Sequence, residues 1–117
     1  MSGSITAVIA NVSQRVGEDR VYQVTIVDAS DAVVNITGWS MLFTLHVYGN
    51  YDAQYFTKET GGGGIVLSNP TVGVLQITVA AADTTSMFPN QYEFSIERTD
   101  SGNSFETTQG LFTLLSR

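Results

Sequence analysis

An all-β antiparallel sandwich of seven to nine short strands is predicted by three observations. Five runs alternate apolar and polar residues with a period of two. Turn-forming clusters of Asp, Asn, Ser, Gly and Pro separate those runs. No segment keeps apolar residues at helical spacing for more than about two turns.

Arg20–Val27 places Tyr22, Val24 and Ile26 on one face, and the polar turn Asp28-Ala-Ser-Asp31 follows. Trp39–Val47 turns Trp39, Met41, Phe43, Leu45 and Val47 inward. His46 then falls on the opposite face and reads as an exposed or interface histidine. Tyr48–Gly64 reads as an insert-like loop rich in Tyr48, Tyr51, Tyr55 and Phe56, closed by a mobile run at Gly61–Gly64. Ile65-Val-Leu67 reads as a strand, and Asn69-Pro70 as a turn.

Leu75–Val79 alternates again, with Leu75, Ile77 and Val79 on one side. Ala80–Met87 allows one or two helical turns before Pro89 stops them. In Gln91–Glu97, Tyr92, Phe94 and Ile96 share a face. Asp100-Ser-Gly-Asn103 is a hairpin turn, after which Gly110, Phe112 and Leu114 share a face. The inward sets of these runs predict one core between two sheets, Trp39 included. Upstream, Ile5, Val8, Ile9 and Val12 do not alternate, so one strand cannot hide them all. Residues 1–117 read as a single domain in which residues 1–16 form an N-terminal arm or an extra strand.

The chain has 117 residues, enough for one domain with its own core. Five basic against eleven acidic residues give a net charge of −6. That balance argues against nucleic acid and against an anionic membrane surface as partners. Charged residues are 14% of the chain, below the roughly 25% usual in soluble domains. So few solubilising charges suit a surface partly covered by partners. There is no Cys, hence no disulfide framework and no thiolate site. The N-terminus lacks the basic region of a signal peptide, and no run reaches the ~18 apolar residues of a membrane helix.

Catalysis is not expected. His46 is the only histidine, and no nucleophile elbow accompanies it. Gly61–Gly64 lacks the Lys of a phosphate loop. Asp28 with Asp31, and Asp100 with Asn103, offer oxygen ligands for Ca²⁺, but these residue types also serve turns. Asn11-Val-Ser13 and Asn35-Ile-Thr37 match glycosylation acceptors of a kind that Ser/Thr-rich chains produce by chance. No cofactor and no metal site are expected.

The order of several short segments resembles a known family. Gly17-Glu-Asp19 leads into the first alternating strand, and Val34-Asn-Ile-Thr-Gly38 precedes the Trp39 strand. Gly73–Val79 leads into Ala82-Asp-Thr-Thr85, followed by Pro89-Asn90, the Tyr92 strand, Asp100-Ser-Gly102 and Thr108–Thr113. This is similar to the immunoglobulin-like β-sandwich of tailed-phage structural proteins, including the N-terminal domain of baseplate upper proteins. Asn90 stands where that family commonly has Gly. The resemblance implies a non-catalytic virion component of the tail, baseplate, neck or head surface, made in the host cytoplasm. Its partners would be other virion proteins and copies of itself. The two stretches that depart from the family pattern supply the expected interface: Ile5, Val8, Ile9 and Val12, with Tyr48, Tyr51 and Tyr55. The alternative is a carbohydrate-binding or adhesion sandwich, Ca²⁺-stabilised. Assembly ranks above sugar binding because the only Trp, Trp39, reads as core.

Overall fold

The structure, a computed structural model, describes residues 5–9, 12–100 and 105–116. Nine strands form two sheets. The first sheet has the order β1 (Ile5–Ile9), β3 (Arg20–Asp28), β7 (Val74–Val79), β6 (Ile65–Asn69). The second has the order β2 (Ser13–Arg15), β9 (Phe105–Leu115), β8 (Asn90–Arg98), β4 (Met41–Val47), β5 (Asn50–Glu59). Every pairing is antiparallel except β2 with β9. One helical turn, α1 (Ala81–Thr84), links β7 to β8. This connectivity is that of an immunoglobulin-like sandwich carrying an extra edge strand, β5, after β4.

The inward parities hold. Fourteen of the predicted core residues, from Tyr22 to Leu114, are buried in one cluster. Val12, Ile36, Ile65 and Met87 join them, from short or irregular segments where no period marks a face. Trp39 and Val47 are the exceptions. Trp39 lies just before β4, where the strand parity has not yet begun, and is only partly buried against the core. Val47, the last residue of β4, is exposed where the chain turns into β5.

Two other expectations change. The stretch Tyr48–Gly64 is no loose insert: most of it is β5, a ten-residue strand paired along β4. Its register slips on either side of His46, which marks a bulge. The glycine run is anchored, since Glu59 N donates to Gly63 O and Thr78 N to Gly64 O, both at 2.9 Å. Ile5–Val12 fails to alternate because the chain changes sheets there. Ile5–Ile9 pairs with β3 in one sheet, and Ser13–Arg15 pairs with β9 in the other. A crossing between layers resets which side of the chain faces the core.

Phe94 stacks on Phe43 with centroids 5.5 Å apart. Opposite Phe94 on β9 stands Gly110, where a Cβ would lie 2.6 Å from the ring. Tyr92, two residues earlier, donates its hydroxyl to Phe88 O at 2.6 Å. That bond is a tyrosine corner, and Phe94 takes the place that immunoglobulin domains give to a disulfide cysteine. A second tie joins the sheets through buried polar groups. Tyr22 on β3 donates to Gln14 Oε1 on β2 at 2.8 Å, and Gln14 Nε2 donates to Glu18 O at 2.8 Å. Burial pushes the Tyr22 phenol up to about 12.

Phe94→Ala is expected to lower unfolding free energy by about 3–5 kcal/mol, measured by urea denaturation. Gly110→Ala should lose about 1–3 kcal/mol, because the new methyl displaces the Phe94 ring. A Gly110→Ala variant as stable as wild type would show that the ring does not depend on that space.

Candidate functional site

The outer face of the five-stranded sheet carries a buried polar cluster. His46 on β4 is 1% exposed, so of the two expectations, exposed or interface, the exposed one does not hold: the residue is covered within the chain. Its Nδ1 lies 3.0 Å from the Val47 carbonyl oxygen, an acceptor only, so that nitrogen bears the proton. Nε2 then accepts from the Ser95 hydroxyl at 3.0 Å. Glu93 Oε1 stands 3.8 Å from Nδ1. The cover comes from Tyr51 at the start of β5. Its ring meets the imidazole edge-on at 5.2 Å, and its hydroxyl donates to Glu97 on β8. Sequence parity gave the right face, but it cannot show that a side chain from the next strand folds back over it.

Ser95, His46 and Glu93 together have the residue types of a hydrolytic triad. The arrangement cannot work as one. Ser95 has no solvent exposure, so no carbonyl carbon can reach its Oγ. The Nδ1 proton goes to Val47 O and not to the glutamate. Ser95 also sits mid-strand between β4 and β9, where backbone N–H groups are engaged in the ladder and form no oxyanion hole.

Of the acids considered for Ca²⁺, Asp28 and Asp100 are engaged by other groups, and Asp31 is exposed. Asp28 Oδ1 accepts from Ser30 N at 2.8 Å and Ala32 N at 3.0 Å, which makes it a turn residue. Asp100 takes Arg98 Nε and a terminal guanidinium nitrogen at 2.8 and 3.0 Å. Among the described residues, no group of three or more His, Cys, Asp or Glu is placed to hold a metal ion. Asn35 Oδ1 accepts from Thr37 N and Thr37 Oγ1, closing a local turn. Asn11 and Asn103 lie outside the described residues.

At the opposite end from Tyr92 lies a cleft of about 520 Å³. It is lined by Gly38, Trp39, Ser40, Thr60, Gly61, Gly62, Ile65, Val66 and Leu67. The Arg98 guanidinium carbon sits 3.9 Å from the Trp39 ring centroid. Asp100 holds Arg98 in turn and also accepts from Ser40 N at 3.2 Å. The Arg98 hydrogen bonds, joined by that from Ser40, hold the Asp100 carboxyl well below the usual carboxylate range.

The residues expected at an interface do not gather at one place. Ile5–Ile9 is consumed as β1, with Val8 55% exposed and Ile9 packed on the core. Val12 is buried. Tyr51 covers His46, Tyr55 meets Tyr92 edge-on at 5.0 Å, and Tyr48 stands 62% exposed in the β4–β5 turn. Exposed apolar side chains missed from sequence include Phe88 at 82%, Leu111 at 47% and Leu115 at 41%. The two leucines were readable, since they hold the parity opposite to Phe112 and Leu114. Phe88 was not, because it sits in an irregular link.

Two of the segments behind the family resemblance, Gly17–Asp19 and Ala82–Thr85, meet. Gly17 N donates to Thr84 Oγ1 at 3.0 Å, and Ala81 N to Asp19 Oδ1 at 2.7 Å. Asp83 accepts from Ala80 N and pairs with Lys58 Nζ, each at 2.7 Å. No family model and no curated protein matches the chain. Solved structures similar to it include two immunoglobulin-like domains. The Ig1 domain of mouse SynCAM 2 is 15% identical, covering 96% of this chain and 97% of that one, with TM-score 0.44. Murine CRIg is 17% identical, covering 98% and 99%, with TM-score 0.44.

Two outcomes are expected. The stabilisation from the depressed Asp100 is fully present above the unfolded-chain value near pH 3.9 and is lost as pH falls through the folded value. Melting temperatures of wild type and Asp100→Asn should therefore differ at pH 7 and begin to draw together only as pH falls below about 4. His46→Ala should cost about 1–3 kcal/mol in chemical denaturation, as the Ser95 hydroxyl loses its buried partner. An unchanged midpoint for His46→Ala would mean that water takes the place of the imidazole.

Proposed function

We propose that this chain is a non-catalytic structural component of a tailed-phage virion, one that attaches or bridges neighbouring proteins of the tail, baseplate, neck or head surface. The order of short motifs from Gly17 to Thr113 supports the phage setting. The contact role is supported by one observation above all: large apolar side chains stand open on a chain with few charges. Tyr48 and Phe88 are 62% and 82% exposed, and both lie at the end of the sandwich where β4 finishes and β8 begins. Tyr55 reaches the same end through its contact with Tyr92. Leu111 and Leu115 stand in a groove of mixed polarity along β9, shared with Val12, Ser13, Gln91 and Thr113. Aromatic residues are the types that anchor protein contacts, and an exposed cluster of them on a lone domain marks a surface meant for covering.

Partners are other virion proteins and copies of this chain. Mass spectrometry of purified particles from the phage or induced prophage that encodes the chain tests the setting. The expected result is its presence at a fixed ratio to the other structural proteins, and its absence from intact particles would refute the reading. For the surface, a Tyr48→Ala/Phe88→Ala double variant should keep its fold by circular dichroism yet enter particles at least about tenfold less.

A further inference from the structure

We infer that the cleft beside Trp39 is a binding site for an uncharged saccharide, with one sugar ring seated against the indole. The inference goes beyond the assembly role and stands or falls separately from it.

Three observations carry it. First, Trp39 is only partly buried: it packs against the core and also lines an open, shallow cleft of about 520 Å³. Second, the indole is held in place on one face. Arg98 lies on the ring at 3.9 Å, and the Arg98 side chain is itself fixed by two hydrogen bonds to Asp100. A ring already fixed loses little freedom when a ligand meets it. Third, none of the described lining residues carries a charge, yet several offer hydrogen bonds. Ser40 and Thr60 bring hydroxyls, and Thr60 Oγ1, which accepts from Met41 N at 3.2 Å, keeps its own proton to donate. Gly61 and Gly62 take left-handed φ values of +84° and +99°, with open space where a Cβ would stand. Their backbone groups therefore border the cleft without a side chain in front.

The ligand class follows from this chemistry. A charged ligand would lose water and find no counter-ion in the lining. A purely apolar one would leave the hydroxyls unmatched. A sugar ring has an apolar C–H face for the indole and a rim of hydroxyls for Ser40, Thr60 and the glycine backbone. Ile65 closes the floor with an apolar surface.

Trp39 is the only tryptophan, so its emission reports this site alone. The test screens neutral mono- and oligosaccharides by tryptophan fluorescence. Amide spectra of the isotope-labelled protein then locate the binding. The expected result is a saturable emission change with at least one sugar, and amide shifts centred on Thr60, Gly61 and Gly62. By amide titration, affinity should fall at least about tenfold in Trp39→Ala. Val66 lines the cleft and is 62% exposed, so Val66→Arg blocks the mouth without disturbing the core and should lose binding to the same degree. That variant decides the matter if Trp39→Ala misfolds. Failure of every neutral sugar to give a saturable change overturns the inference, and so does binding that survives Val66→Arg.

Discussion

Everything in this sandwich leans on the stack of Phe94 over Phe43 above the bare backbone of Gly110. Without Cys, no covalent bond can hold the two sheets at their spacing. The inner faces must do it by filling volume, and a ring spends that volume well only where its neighbours leave room. β9 leaves room by omitting a side chain opposite Phe94. β4 supplies a second ring at 5.5 Å. The tyrosine corner two residues away then fixes where β8 enters the sheet, and thereby where Phe94 points.

Polar groups supply the geometry that the apolar core cannot. Gln14 and Tyr22 join the two sheets at the edge where the chain has just crossed between them. Gly17 and Asp19 tie the following turn to α1. Each of these bonds is directional, so together they set the position of the N-terminal strands relative to the rest. The His46 cluster acts likewise on the outer face, where Tyr51 and Ser95 bind three strands through one imidazole.

How much of this was legible depended on whether strand parity reached the residue. Met41, Phe43 and Leu45 were placed correctly because seven consecutive residues shared one pleat. Trp39, two positions earlier, has the same parity but lies before the pairing begins, so it is only partly buried and also lines a cleft. Ile9 and Val12 looked discordant because two sheets, not one, read that segment. His46 was given the right face and the wrong exposure, since its cover comes from a bulged neighbouring strand. The cleft itself was invisible in sequence. It is formed by residues 38–40, 60–62 and 65–67, which only the turn of the chain from one sheet to the other brings together. The exposed Phe88 lies in a link with no period to assign it.

The bulge and the salt bridge of β5 have a further bearing on how such a domain behaves when many copies are crowded together. A ten-residue strand at the rim of a sheet is a template on which another chain can zip. Here the register slips twice near His46, so a flat partner strand would lose step. Lys58 is tied to Asp83 on the same molecule, and a strand laid along β5 would need to accommodate that ion pair. β1 has neither device: its five residues are uncharged and pair with β3 without a slip. The two rims thus differ in their tolerance for company. Each sheet has two rims, and β5 is the longest of the four, so blunting it removes the widest template on which a fibre could grow.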